Sequence, residues 1–197
     1  MDDESSAEEL VVPRLAAASP AGEEFVLRRW EMTDLPLVQE ASTDPYIPLT
    51  TSVPPMYSRA EGEAFVRRQW TRAETGTGYP FVVERRSDAR PLGGIGLWLR
   101  DLPDGRATIG YWISPRCRGA GAAGTALNAV AAWALGELRI PRLQLFIEPW
   151  NTASCRTAER AGFTREGLLR SWQEIGGQRR DMVLYGRVEP APLVASV

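Results

Sequence analysis

The stretch that most constrains the fold is residues 113–127, ISPRCRGAGAAGTAL. Before it, Thr108, Ile109, Tyr111, Trp112 and Ile113 form a short apolar run that reads as a strand. The next seven residues, Arg118-Gly119-Ala120-Gly121-Ala122-Ala123-Gly124, carry almost no side-chain bulk beyond the arginine, and from Thr125 the pattern turns helical. A strand, a small-residue turn and a helix N-terminus make an anion site, because unpaired N–H groups and the positive end of the helix dipole converge there. Larger side chains would hold a phosphate off the backbone. An ordinary glycine-rich turn is the alternative. A P-loop is excluded, since it needs a lysine and the chain has none. A dinucleotide fingerprint belongs after the first strand of a parallel unit, whereas this loop sits mid-chain behind antiparallel-looking strands.

A second group of residues makes the loop specific. Arg118-x-x-Gly121-x-Ala123 resembles the R/Q-x-x-G-x-G/A signature of the GNAT acyltransferase superfamily, whose loop grips the pyrophosphate of acetyl-CoA. About thirty residues later come Asn151-x-x-Ser154, Ala158 and Gly162-Phe163, similar to the second half of that cofactor site. The N-x-x-S form with Ala158 resembles the ribosomal-protein N-terminal (RimJ/RimL-type) branch, as do Glu166-Gly167, Gly176-Gly177, Asp181 and Tyr185. The resemblance covers residues 25–188. It implies acetyl-CoA as co-substrate, no metal, and an amine acceptor. That acceptor is a peptide N-terminus or an aminated small molecule of the antibiotic or metabolite kind. Trp112, Ile113, Arg118, Gly119, Ala120, Gly121, Ala122, Ala123, Gly124, Asn151 and Ser154 are then the cofactor-binding positions. In the family a bulge splays the strand that precedes the loop, the pantetheine arm lies along it, and a backbone N–H near Trp112 or Ile113 faces the thioester.

The same resemblance makes Ser154 the proton donor to the departing thiolate; a mere hydrogen bond at the helix start is the alternative. Asn151 orients the pantetheine arm, caps the helix, or both. The branch's base is a glutamate whose match here is Gln173, which cannot accept a proton. Glu174 follows it but points to the opposite face of a strand. Glu84 and Glu148 are strand carboxylates able to act through water, or structural ion-pair partners. A low-pKa amine would need no base at all. Gln173 also leaves room for a CoA-binding sensor that has lost catalysis.

Composition narrows the chemistry. The chain has no histidine, and all 23 of its basic residues are arginine. Ser-His-Asp and Cys-His hydrolases and Schiff-base lysines are therefore out, and a zinc site is disfavoured. Cys117 and Cys155 make no disulfide framework or metal pattern. Residues 1–24 hold seven acids against Arg14 alone, so the remainder carries a mildly basic +4. That suits a polyanionic cofactor better than a nucleic acid, for which no basic stripe is present. No apolar run reaches the ~18 residues of a membrane span, and the N-terminus lacks a signal-peptide pattern. A cytoplasmic monomer or homodimer is expected.

In chain order, residues 1–24 read as an acidic, mostly mobile arm in which 7–15 could form a helical turn. Residues 25–30 alternate as a first strand, and Thr33 caps a helix to Ala41. Residues 44–57 contain four prolines and read as a stiff loop, which in the resembled family covers the acceptor site. Ser58-Arg59-Ala60-Glu61 opens a helix to Glu74. Strands follow at 79–86, 92–101 and 106–113, with turns at Ser87-Asp88 and Pro103-Asp104-Gly105. The helix 125–138 buries Leu127, Val130, Ala131, Ala134, Leu135 and Leu138, the strand 143–147 is central, and a helix spans 151–161. Strands 163–175 and 178–188 meet at Gly176-Gly177, and 189–197 is a tail. The order βααβββαβαββ predicts one α/β domain with a mixed sheet. Trp98, Trp112, Trp150 and Trp172 either pack in the core or select the acceptor.

Overall fold

The computed structural model describes residues 11–188. Eight strands form one sheet in the order β1-β2-β3-β4-β5-β6-β8-β7. They are β1 Leu15–Ala18, β2 Glu24–Arg28, β3 Gly78–Arg85, β4 Arg90–Trp98, β5 Arg106–Ile113, β6 Arg142–Ile147, β7 Thr164–Ile175 and β8 Gln178–Val188. Every neighbouring pair is antiparallel except β5 and β6. The helices are α1 Leu35–Ser42, α2 Ile47–Thr50, α3 Arg59–Glu74, α4 Ala122–Gly136 and α5 Thr152–Arg160. The expected mixed α/β sheet with its single crossover is present.

Strand β3 reads GYPFVVER and is buried over seven residues because helices cover both faces of the sheet. Alternation sends Phe81 and Val83 into one core with α4, and Val82 into the other with α1 and α3. The α4 side is packed tightly through small residues: Ala126, Ala131 and Ala134 are buried, and Trp133 meets Tyr79 edge-on at 4.8 Å. The stripe expected on α4 is buried, with Leu138 only partly so. Helix α3 starts where Ser58 Oγ accepts the Glu61 N–H at 3.2 Å.

Four details differ from what the sequence pattern leads one to expect. Leu15–Ala18, expected in the arm, forms β1 and pairs along β2, which supplies the partner its alanine-rich pattern could not advertise. The arm before Val11, with residues 7–10 of the expected 7–15 helical turn, and the tail beyond 188 lie outside the described residues; residues 11–14 are not helical and Leu15 opens β1. Thr33 caps nothing. A 3-10 turn at Met32–Asp34 leads into α1 instead, because Asp34 is drawn into a buried pair with Arg28. Finally, the proline-rich segment contains the short helix α2, and α4 begins at Ala122 rather than Thr125.

Candidate active site

The parallel pair β5–β6 is joined only from Arg106–Thr108 to Arg142–Gln144. Beyond that point β5 stays with β4 to Ile113, and β6 stays with β8 to Ile147. Each strand keeps its antiparallel partner, so the two separate and leave facing edges unpaired. The register of β5 on β4 is unbroken from Thr108 to Ile113, so the expected bulge is absent from that pair. A cavity of about 520 Å³ fills the opening, lined by Ile109–Trp112 on one wall and by Leu145–Glu148 on the other. The Ser114 N–H donates to Leu92 O at 2.8 Å. By antiparallel alternation the Trp112 N–H then faces β4, while those of Tyr111 and Ile113 turn toward the gap. Of the two backbone positions expected at the thioester, Ile113 is the one whose N–H turns toward the gap, as does that of Tyr111.

At the end of β5 the chain passes through Pro115–Cys117 into the small-residue loop. Gly119 and Gly121 have φ of +92° and +78°, a left-handed backbone that glycine adopts without strain. Gly121 is the N-cap of α4, which leaves the first-turn N–H groups of Ala122, Ala123 and Gly124 without intrahelical acceptors. Gly119, Ala120 and Gly121 are exposed, and a Cβ on either glycine would meet nothing within 4 Å. An anion can reach this backbone. Arg118 fastens the loop: Nε donates to Ile113 O at 3.0 Å and Nη2 to Asp44 Oδ2 at 2.8 Å. Asp44 in turn accepts the Tyr46 and Ile47 N–H groups that open α2. Burial pushes the Asp44 carboxyl up, but those two N–H groups and Arg118 outweigh it and hold the pKa below the usual value.

Across the gap, Asn151 Oδ1 accepts the Ser154 N–H at 3.1 Å and caps α5, and both residues line the cavity. The Tyr111 hydroxyl reaches over from β5 to Ser154 O at 3.3 Å. Burial raises the Tyr111 pKa, partly opposed by hydrogen bonding with the side chains of Ser154 and Thr157. Tyr111 thus belongs to the site although the sequence marks it only as a strand residue.

Glu148 is the sole carboxylate among the described residues lining the cavity, and it is 4% exposed. Tyr46 donates its hydroxyl to Glu148 Oε2 at 2.7 Å, and Arg180 Nε lies 3.8 Å from Oε1. Burial and then the carboxylate raise the Tyr46 pKa, which keeps the phenol a donor. The other two candidate carboxylates lie elsewhere. Glu84 is tied to Arg28 on β2, away from the cavity. Glu174 is exposed, between Gln173 and Ile175, which do line the cavity. Trp98 and Trp112 are lining residues; Trp150, 59% exposed, packs edge-on against Tyr46, and Trp172 stacks on Phe146. Among the described residues no cluster of three or more His, Cys, Asp or Glu could hold a metal, and no helix is long and apolar enough to cross a membrane.

Comparison with known proteins shows the family and the fold. Residues 24–164 match the family model described as an acetyltransferase (GNAT) domain. An uncharacterized N-acetyltransferase, p20 of Bacillus licheniformis, is 23% identical over 163 residues, covering 83% of this chain and 92% of its own. RimL, a ribosomal alpha-N-protein acetyltransferase solved with coenzyme A, superposes with a TM-score of 0.73 at 21% identity, over 83% of this chain and 93% of its own. The microcin C7 self-immunity acetyltransferase MccE, solved with acetyl-CoA and AMP, gives 0.72 at 18% identity over 87% and 96%. These two structures share the fold.

Proposed function

The chain belongs to the GNAT acetyltransferase family, and on that premise we propose that it moves an acetyl group from acetyl-CoA to a primary amine by direct attack in a ternary complex. The observation that carries this reading is the open pair of strand edges leading to a glycine loop and a helix N-terminus. A pantetheine arm would add along the edge of β5 through backbone hydrogen bonds. Its pyrophosphate would rest on the N–H groups of residues 119–124. The Tyr111 or Ile113 N–H would hold the thioester oxygen as it becomes an oxyanion, and loss of such a donor costs roughly 3–4 kcal/mol of barrier.

The amine nitrogen attacks the thioester carbon, and the C–S bond breaks as the tetrahedral intermediate collapses. One proton leaves the amine for Glu148, directly or through water, and one passes from Ser154 Oγ to the departing sulfur. Solvent returns both groups to their starting states, and the products are an amide and the CoA thiol. Ser154 stands beside the gap at the start of α5, where the local potential also favours a thiolate. The acceptor is a peptide N-terminal amine or an amine-bearing small molecule. Structures of both kinds of enzyme share this fold, and the acceptor wall here is the 44–57 segment with Trp98 and Trp112.

Thermal unfolding with acetyl-CoA, CoA and NAD tests the premise. A ligand at 100 times its dissociation constant adds about 2.7 kcal/mol, so the first two should raise the transition and NAD should not. No rise with millimolar acetyl-CoA sinks the assignment; a rise without thiol release from any amine leaves a CoA-binding sensor. Ser154→Ala keeps the backbone N–H that Asn151 caps, so its stability should be unchanged. Its kcat should fall about tenfold, less than the 10²–10⁴ typical of a general acid, because a thiolate leaves readily. Unchanged turnover would remove Ser154 from proton transfer.

A further inference from the structure

The acceptor wall contains a cation whose charge is not answered by any acid among the described residues. Arg72, on α3, lines the same cavity as Glu148. Its guanidinium lies 5.0 Å over the Trp98 ring, which itself lies against Gly96, where a Cβ would come within 2.2 Å of the indole. Nη1 donates to Gln69 Oε1 at 2.8 Å and to Ser52 Oγ at 3.2 Å, both neutral acceptors. Among the described residues no carboxylate pairs with Arg72, and none accepts from its Nε or Nη2. Arg28, Arg118 and Arg180 all have acidic partners. Burial and then repulsion from Arg68 lower the Arg72 pKa. Arg68 adds a second positive charge beside it, bound to Ser52 O at 3.1 Å.

Building on the acetyltransferase reading, we propose that Arg72 binds an anionic group of the acceptor, so that the preferred amine carries a carboxylate or phosphate on the same molecule. The stack on Trp98 and the bonds to Ser52 and Gln69 fix the plane of the fork and leave one edge for a bidentate partner. The cavity is then polar in a useful sense. Glu148 at the end of β6 and Arg72 above β4 lie on opposite sides of β5, one suited to the amine and the other to the anion. A polyamine would meet Arg72 and Arg68 as repulsive charges.

The test uses the full chain saturated with CoA, so that the glycine loop is occupied, and matched amines that differ only in charge. These are 2-aminoethyl phosphate against ethanolamine, and Ala-Glu-amide against Ala-Gln-amide, with spermidine as a cationic control. Binding is read calorimetrically, without requiring turnover. At least one anionic probe should bind tenfold or more tighter than its neutral partner, and which pair responds separates phosphate from carboxylate. Arg72→Gln should remove that preference, a loss of about 10–100-fold for a charge-assisted bond, while the acetyl-CoA thermal shift persists. Arg72→Lys, which keeps the charge without the fork, should retain part of it. Equal binding within both pairs, tighter spermidine binding, or a preference that survives Arg72→Gln overturns the proposal. The preference of the unaltered chain stands as a test even if a variant fails to fold. Absence of the acetyl-CoA shift would instead defeat the acetyltransferase reading.

Discussion

Glu148→Gln is expected to lower kcat/KM for acetyl transfer by about 10²–10⁴-fold, the range for loss of a positioned proton acceptor. The substitution is nearly isosteric, and glutamine can still accept the Tyr46 hydroxyl through its carbonyl oxygen. What it cannot do is take a proton. Arg180 loses its partner, but that side chain is well exposed and the pair is long, so the stability cost is small. The acetyl-CoA thermal shift should also survive, because the glycine loop and the β5 edge are untouched. Steady-state thiol release and a melting curve on the same variant separate the two roles open to Glu148. Activity lost with stability kept identifies the proton acceptor. Stability lost with residual activity intact would make Glu148 a structural ion-pair partner, and an acceptor amine of low pKa would then be the species that reacts.

How much of the fold and site is legible in the sequence depends on the distance over which each feature is encoded. The loop at 118–124 is legible because its pattern is local: glycines, a strand before and a helix after. The Gln173–Glu174 alternation is legible for the same reason, even though Ser171, at φ +48°, interrupts the strand just before it. Glu148 is one of three candidate carboxylates in the sequence and cannot be singled out there. Its setting in the cavity is made by Tyr46, 102 residues away, and by Arg180 from β8. Arg72 is invisible as a site residue, since only the fold reveals that no acid among the described residues accompanies it. Asn151 shows why two readings can coexist: it caps α5 and lines the cavity at once. The alanines of β1 carry too little pattern to announce a strand, and only the open edge of β2 gives them one.

The largest effect on stability is expected at Arg28, far from the reacting groups. Its Nη1 and Nη2 donate to the two oxygens of Asp34 at 2.9 and 2.8 Å, and its Nε donates to Glu84. All three residues are buried, and the bonds tie β2 to β3 and to the turn that starts α1. The Asp34 bond is the chief reason the guanidinium pKa lies above the usual arginine value. Arg28→Met leaves two carboxylates in the interior, of which, among the described residues, only Glu84 has another cation near, the exposed Arg14 at 3.7 Å. Removing one partner of such a network costs about 3–5 kcal/mol, mostly as the penalty of the orphaned charges. At roughly 2–4 °C per kcal/mol for a chain of this size, the melting temperature should fall by roughly 6–20 °C. If orphaned charge is the cause, the triple variant Arg28→Met, Asp34→Asn, Glu84→Gln should recover most of the loss. Neither amide carries a charge, and the asparagine side chain can still accept the Glu31 N–H that Asp34 now accepts. A triple variant as unstable as the single one would mean that the network's attraction and geometry, rather than its uncompensated carboxylates, hold these elements together.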